Sequence, residues 1–120
     1  MKRQPSLNES PIVFDNRDYK DYILEGIRSQ PGGGRGQKSR IAEALKCQLA
    51  YVSQVLTTHA HFSPEQADLL NRYFEHDEEG ADFFLLLLHR GRAGTKSIED
   101  YSDRKIHRVI DHRLLLKNRL

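Results

Sequence analysis

QKSRIAEALKCQLAYVSQVLT, residues 37–57, is the stretch that decides the fold of this chain. Read with a period of 3.6, it divides into two short amphipathic pieces. Ile41, Ala42 and Leu45 share a face of the first; Leu49, Val52, Val55 and Leu56 share a face of the second. Between them stand only Lys46, Cys47 and Gln48, too few residues for anything but a tight turn. Two short helices joined this way make a helix-turn-helix. Ala42 is the small residue at the crossing, and Val52 is the apolar plug on the second helix.

In that geometry the first helix steadies the unit on the phosphate backbone, and the second turns its outer face to the major groove. Gln48, Tyr51 and Gln54 fall on that outer face. Gln54 is the best base reader, because its amide can bond bidentately to adenine N7 and N6, worth ~1–3 kcal/mol of discrimination. Tyr51 can bond a phosphate or pack on a thymine methyl. Lys38, Arg40 and Lys46 are candidate phosphate clamps, each adding about one unit of salt dependence on a log–log plot. Thr57, with Thr58 and His59, continues the same edge toward the backbone.

Outward from this unit, the chain reads as helix throughout. Asp15 or Asn16 can cap a helix over 17–29, whose Tyr19, Tyr22, Ile23 and Ile27 form a buried stripe. QPGGGRG, residues 30–36, then breaks it as a flexible connector. No predicted strand precedes that loop, so it lacks the context of a nucleotide-binding loop. THAHF, residues 58–62, is a second loop. Ser63-Pro64-Glu65-Gln66 opens the next helix, with Ser63 as cap and Gln66 reaching back, and the pattern runs to about His76. Asp77 opens a helix that is acidic in its first turn. Its run FFLLLL, residues 83–88, is apolar all round, which predicts burial on more than one side or contact with a partner chain. Ser97 with Asp100 opens a last helix, to about Asn118, striped by Ile98, Tyr101, Ile106, Val109, Ile110, Leu114 and Leu115. That stripe can fold back or pair with its copy, and two half-sites on DNA favour two-fold symmetry and a homodimer.

Composition sets the bounds. With 120 residues, 38% apolar and 30% charged, the chain holds one modest core under a charged surface. Net charge is only +2, but its distribution is uneven: a basic 37–57, an acidic middle, and a tail of eight bases against four acids from Gly91 on. One cysteine excludes a disulfide framework. No apolar run spans a bilayer and the start lacks a signal-peptide core, so a cytoplasmic, nucleoid-associated protein is expected. His59 and His61 lie on a loop, and His107 and His112 are five apart; neither is metal-ligand spacing, and no metal or cofactor is expected. No nucleophile, triad or paired carboxylates suggest catalysis.

Three further stretches carry a resemblance: FDNRDYKDYI (14–23), FSPEQADLLNRYF (62–74) and LLLLHRGRAGT (85–95). With the helix-turn-helix, they resemble a bacterial family of lambda-repressor-like (Xre-type) regulators, in which a further helical region follows the motif. The resemblance covers roughly 14–119. It implies an all-α, lambda-repressor-like domain over 14–94, after an arm over 1–13 and before a C-terminal helix over 95–120 that serves dimerisation. By position it implies base contacts from Gln48, Ala50, Tyr51 and Gln54, and backbone or flanking contacts from Lys38 and Ser53. Its longer members continue past a segment like LLLKNRL. Two positions depart from the pattern. Lys46 stands where glycine is usual, at a cost on the order of 1 kcal/mol if φ is positive there. Leu49 is apolar where a polar reader is common. Leu49, the acidic middle and the apolar run at 83–88 together support a second expectation: a protein–protein interaction or assembly module that keeps the fold without reading DNA.

Overall fold

The computed structural model describes residues 12–118; eleven residues of the expected arm lie outside the described part. Among the described residues there are six α-helices and no strand: α1 (Tyr19–Arg28), α2 (Gln37–Leu45), α3 (Leu49–Thr57), α4 (Pro64–Tyr73), α5 (Glu78–Gly91) and α6 (Lys96–Asn118). The all-α expectation holds. No helix among them is long and apolar enough to cross a membrane.

Local chemistry explains most boundaries. The Ser63 hydroxyl accepts from the Gln66 N–H, and the Gln66 side chain accepts from the Ser63 N–H, so the capping box of α4 is complete. Asp77 caps α5 by accepting from the Gly80 N–H at 2.7 Å. Two caps differ from expectation. Val13–Asp15 forms a 3-10 turn, so α1 starts later and Asp18 caps it, accepting from the N–H groups of Lys20 and Asp21. At α6 the Thr95 hydroxyl, not Ser97, accepts from the Ile98 N–H. Val13, assigned by sequence to the arm, is fully buried in the core.

The core is an aromatic cluster centred on Phe84 of α5. Its ring lies 5.6–6.3 Å from those of Tyr19, Tyr22, Phe74 and His76. α5 packs on α4, α6 and α1, which makes it the central helix, as its all-round apolar run predicts. Leu85 and Leu86 of that run stay only partly buried. α2 packs against both α3 and α4, so the α2–α3 pair is set against the remainder through α4.

The glycine-rich segment is not the loose connector its composition suggests. Pro31–Gly34 is a 3-10 turn that packs on α1. Gly34 has φ +86°, and a Cβ there would stand 2.1 Å from the Ile27 carbonyl oxygen. Only glycine permits that approach. The turn therefore fixes where α2 begins.

α6 departs from its expected stripe. Ile106 is buried and Val109 and Ile110 pack on the core, but Ile98, Tyr101, Leu114 and Leu115 are exposed. Ser102 holds the buried position instead. A small side chain there lets α6 lie close against α5.

Candidate nucleic-acid interface

α2 and α3 are nine residues each, and the turn between them is Lys46-Cys47-Gln48, as the spacing requires. Lys46 occupies the left-handed region, φ 55° and ψ 44°, so a lysine stands in the conformation that usually draws glycine. Its N–H donates to the Glu43 carbonyl, and the Cys47 N–H donates to that of Ala42, closing the end of α2. Ile41, Ala42, Leu45, Val52, Val55 and Leu56 are the buried residues that join the two helices to each other and to the core. Burial raises the Cys47 thiol above its ordinary pKa, so it stays protonated at neutral pH.

Two anchors hold α3. The Lys20 ammonium donates to the carbonyls of Thr58 (2.8 Å) and Ala60 (2.6 Å), tying α1 to the exit of α3. Burial lowers the pKa of that ammonium. Tyr51 is the second anchor, and here the sequence expectation is corrected. Its ring packs edge-on to Phe62 at 6.0 Å, and its hydroxyl donates to the His61 carbonyl at 2.9 Å. Tyr51 is half-buried and turned toward the start of α4. It positions α3 and does not face outward as a reader. Helical spacing placed it near the outer face; the aromatic floor supplied by Phe62 drew it in.

Tyr19 orders the loop between α3 and α4. Its hydroxyl oxygen accepts from the Phe62 N–H at 3.3 Å, and the hydroxyl is hydrogen-bonded to His61 Nδ1 at 2.9 Å. Burial pushes the phenol up to about 12 and, with the charges of Lys20 and Arg92, pushes His61 down. Both groups stay neutral near pH 7, and the loop is held by hydrogen bonds between uncharged partners.

The outward side of α3 is then Gln48, Leu49, Ala50, Gln54 and Thr57, all exposed, with Ser53 half-exposed beside them. Gln48 sits at the N-cap, but its side chain makes no capping bond. The Gln54 backbone carbonyl accepts from Thr58, while its side-chain amide projects from the surface. The Thr57 hydroxyl donates back to the Ser53 carbonyl at 2.7 Å. Arg40 and Lys46 are exposed and Lys38 is half-exposed. Among the described residues none of these three forms an ion pair. Beside α3 runs a shallow groove of about 510 Å³, bordered by the glycine turn, Lys38, Ser39, Leu49 and Ser53. Arg35 borders it too, where its place in the glycine-rich loop lets it reach a phosphate as the sequence suggests, and so does Ser39, to which sequence reasoning gave no place in the site.

Metal binding is served poorly by the histidines: His61 is bonded to Tyr19, and His76 is enclosed between Tyr22 and Asn71. Glu99, Asp100 and Asp103 lie close together but are met by Arg90 and Lys96. Comparison with family models, with curated proteins and with solved structures returns no match.

Proposed function

We propose that this chain is a DNA-binding transcriptional regulator of the lambda-repressor-like helix-turn-helix kind, acting in the cytoplasm on the nucleoid, with α3 in the major groove. One observation carries the reading. The exposed side of α3 holds a glutamine pair, Gln48 and Gln54, flanked by cations that have no carboxylate partner among the described residues. Gln54 and Gln48 read base edges, and Ala50 meets a thymine methyl. Lys38, Arg40 and Lys46 hold phosphates, with Ser53 and Thr57 at the edge of that contact. Tyr51 keeps α3 at its angle. The exposed leucines Leu114, Leu115 and Leu116 at the end of α6, and the nearby Ile12, join two copies across half-sites.

Duplex anisotropy tests it. A duplex selected from a random library binds the wild-type chain with a steep salt dependence. Gln54→Ala loses ~1–3 kcal/mol of preference at one base pair while keeping the salt slope. No binding by any duplex at low salt ends the proposal.

A second reading has its own observation: Leu49 is 46% exposed at the start of α3, which suits a protein partner. Leu49→Lys separates the two. It strengthens or preserves duplex binding if the face reads DNA, and removes a bound protein if the face is an assembly surface.

A further inference from the structure

The outward faces of α5 and α6 meet in a long seam that no part of the described chain covers. Asp82, Leu85, Leu86 and His89 recur at the spacing of one helix face, and Lys105, Arg108, Val109 and His112 do the same on α6. Two depressions lie along this line, about 710 and 330 Å³. They share Asp82, Leu86, Arg108 and Val109, so they form one continuous trough. Its floor is apolar: Leu88 is buried, and Leu85, Leu86 and Val109 are half-buried against the core. Two packed helices with a shared apolar trough are the geometry that receives a third helix.

The rim says which kind. Arg92, Lys105 and Arg108 border the trough, and the acid among them, Asp82, has no cation partner among the described residues. Arg108 forms no ion pair among the described residues, and Lys105 rests over the Tyr101 ring at 4.9 Å. Among the described residues the other acid at the seam, Glu79, is held by Arg113 at 3.0 Å. Net positive charge around an apolar floor selects an acidic, amphipathic occupant. A second copy fits badly, because pairing α6 with itself along this face sets Lys105 and Arg108 of each copy against the other's. The contrast with the far end of α6 is direct. There two acids, Asp15 and Glu79, stand among three bases, Arg17, Arg113 and Lys117, around a groove lined by Ile110 and Leu114, a mixed rim that can complement itself better.

We propose that the α5–α6 seam is a docking site for an acidic amphipathic helix of a partner protein, its apolar stripe on Leu85, Leu86 and Val109 and its carboxylates on Lys105, Arg108 and Arg92. The site stands apart from α3 and does not depend on the DNA reading.

The test uses the full chain and two labelled peptides of about 18 residues, some five helical turns. Both carry the same leucine stripe at i, i+3, i+4 and i+7. One has glutamate and the other lysine at the flanking positions. The glutamate peptide binds at least about tenfold tighter, shifts the amide resonances of Leu85, Leu86 and Val109, and weakens as salt rises. Arg108→Glu reverses the preference, whereas Arg104→Glu, exposed on the same helix but outside the trough, leaves it intact. Equal binding of the two peptides, no binding of either at millimolar concentration, or indifference to Arg108→Glu overturns the proposal. So does a result in which vesicles of phosphatidylglycerol shift those amides and the glutamate peptide does not, since that assigns the seam to a lipid surface.

Discussion

Three bases beside α3, Lys38, Arg40 and Lys46, and three on α5 and α6, Arg90, Lys96 and Arg113, carry the same charge but are used differently. Arg90 meets Asp103 at 3.1 Å and Glu99 at 3.4 Å. Lys96 meets Glu99 and Asp100, and Arg113 meets Glu79 while its guanidinium stacks 3.5 Å from the Phe14 ring centre. Lys38, Arg40 and Lys46 have no such partners among the described residues. A cation held by a carboxylate is committed to the fold; one left in solvent keeps its charge for a ligand. Charge counting along the sequence assigns both sets the same value. What distinguishes them is the element packed opposite.

The largest effect comes from inverting the unpaired set. Lys38→Glu, Arg40→Glu and Lys46→Glu together lower duplex affinity at low salt by at least about a thousandfold and flatten the salt slope by roughly three units. Urea unfolding stays within about 1 kcal/mol of the parent, because none of the three supports the fold. A collapse in stability with binding intact would reverse the assignment of the two sets.

Next in size is a pH effect that belongs to the other half of the molecule. His76 Nδ1 lies 2.8 Å from Asn71 Oδ1, an acceptor, so Nδ1 carries the proton and Nε2 accepts from the Tyr22 hydroxyl at 2.6 Å. The Asn71 amide then donates to the Ala81 carbonyl. This chain of bonds joins α1, α4 and α5 with every group neutral. Burial pushes His76 down to about 4 and raises Tyr22 above the usual phenol value. The unfolded state, with an ordinary histidine near 6.5, binds the proton first as pH falls. Stability is therefore full above about pH 6.5 and declines by about 3 kcal/mol toward pH 4, where the loss levels off. His76→Gln flattens most of that decline in urea titrations. His61, also depressed, leaves a smaller slope of the same sign. An unchanged slope in His76→Gln would place the acid sensitivity elsewhere.

The sequence carried the features whose causes are local. The Lys46–Gln48 turn, the Ser63–Gln66 box and the Asp77 cap each depend on atoms within five residues, and each lies where the pattern put it. The α2–α3 core followed from periodicity for the same reason. What the pattern missed depends on partners far along the chain. Tyr51 turned inward because Phe62 and His61, eleven and ten residues on, offer an aromatic edge and a carbonyl. The glycine turn is ordered because Gly34 alone can sit against Ile27. The stripe of α6 ran past Ile106 into leucines that the domain is too small to cover. Gln54 lies outward as expected; the pairing state of the neighbouring cations was invisible without the fold.

A smaller effect tests the committed set. Arg113→Ala removes both the stacking on Phe14 and the bond to Glu79, and costs about 1 kcal/mol in urea unfolding. Because Arg113 bridges α6 to the 3-10 turn at Val13–Asp15, amide exchange quickens at both. Duplex affinity at a fixed salt stays as it was. A change in DNA binding without a change in stability would mean that this arginine belongs with Lys38, Arg40 and Lys46.

The smallest effect lies on the buried face of α6. Ser102 is fully buried and its hydroxyl has no hydrogen-bond partner among the described residues. A buried hydroxyl without a partner forfeits its bonds to water and gains nothing in return. Its selection there follows from size, because a larger side chain would lift α6 from α5 and open the seam that begins one turn later at Lys105. Ser102→Ala keeps the close approach and removes the unsatisfied oxygen. It is neutral or raises stability by up to about 1 kcal/mol, and leaves binding at both α3 and the seam unaltered. Ser102→Leu, by contrast, destabilises by roughly 1–3 kcal/mol through overpacking and disturbs the seam first. If alanine instead destabilises, the hydroxyl has a partner in solution, and the close packing of α5 on α6 rests on a bond rather than on a small side chain.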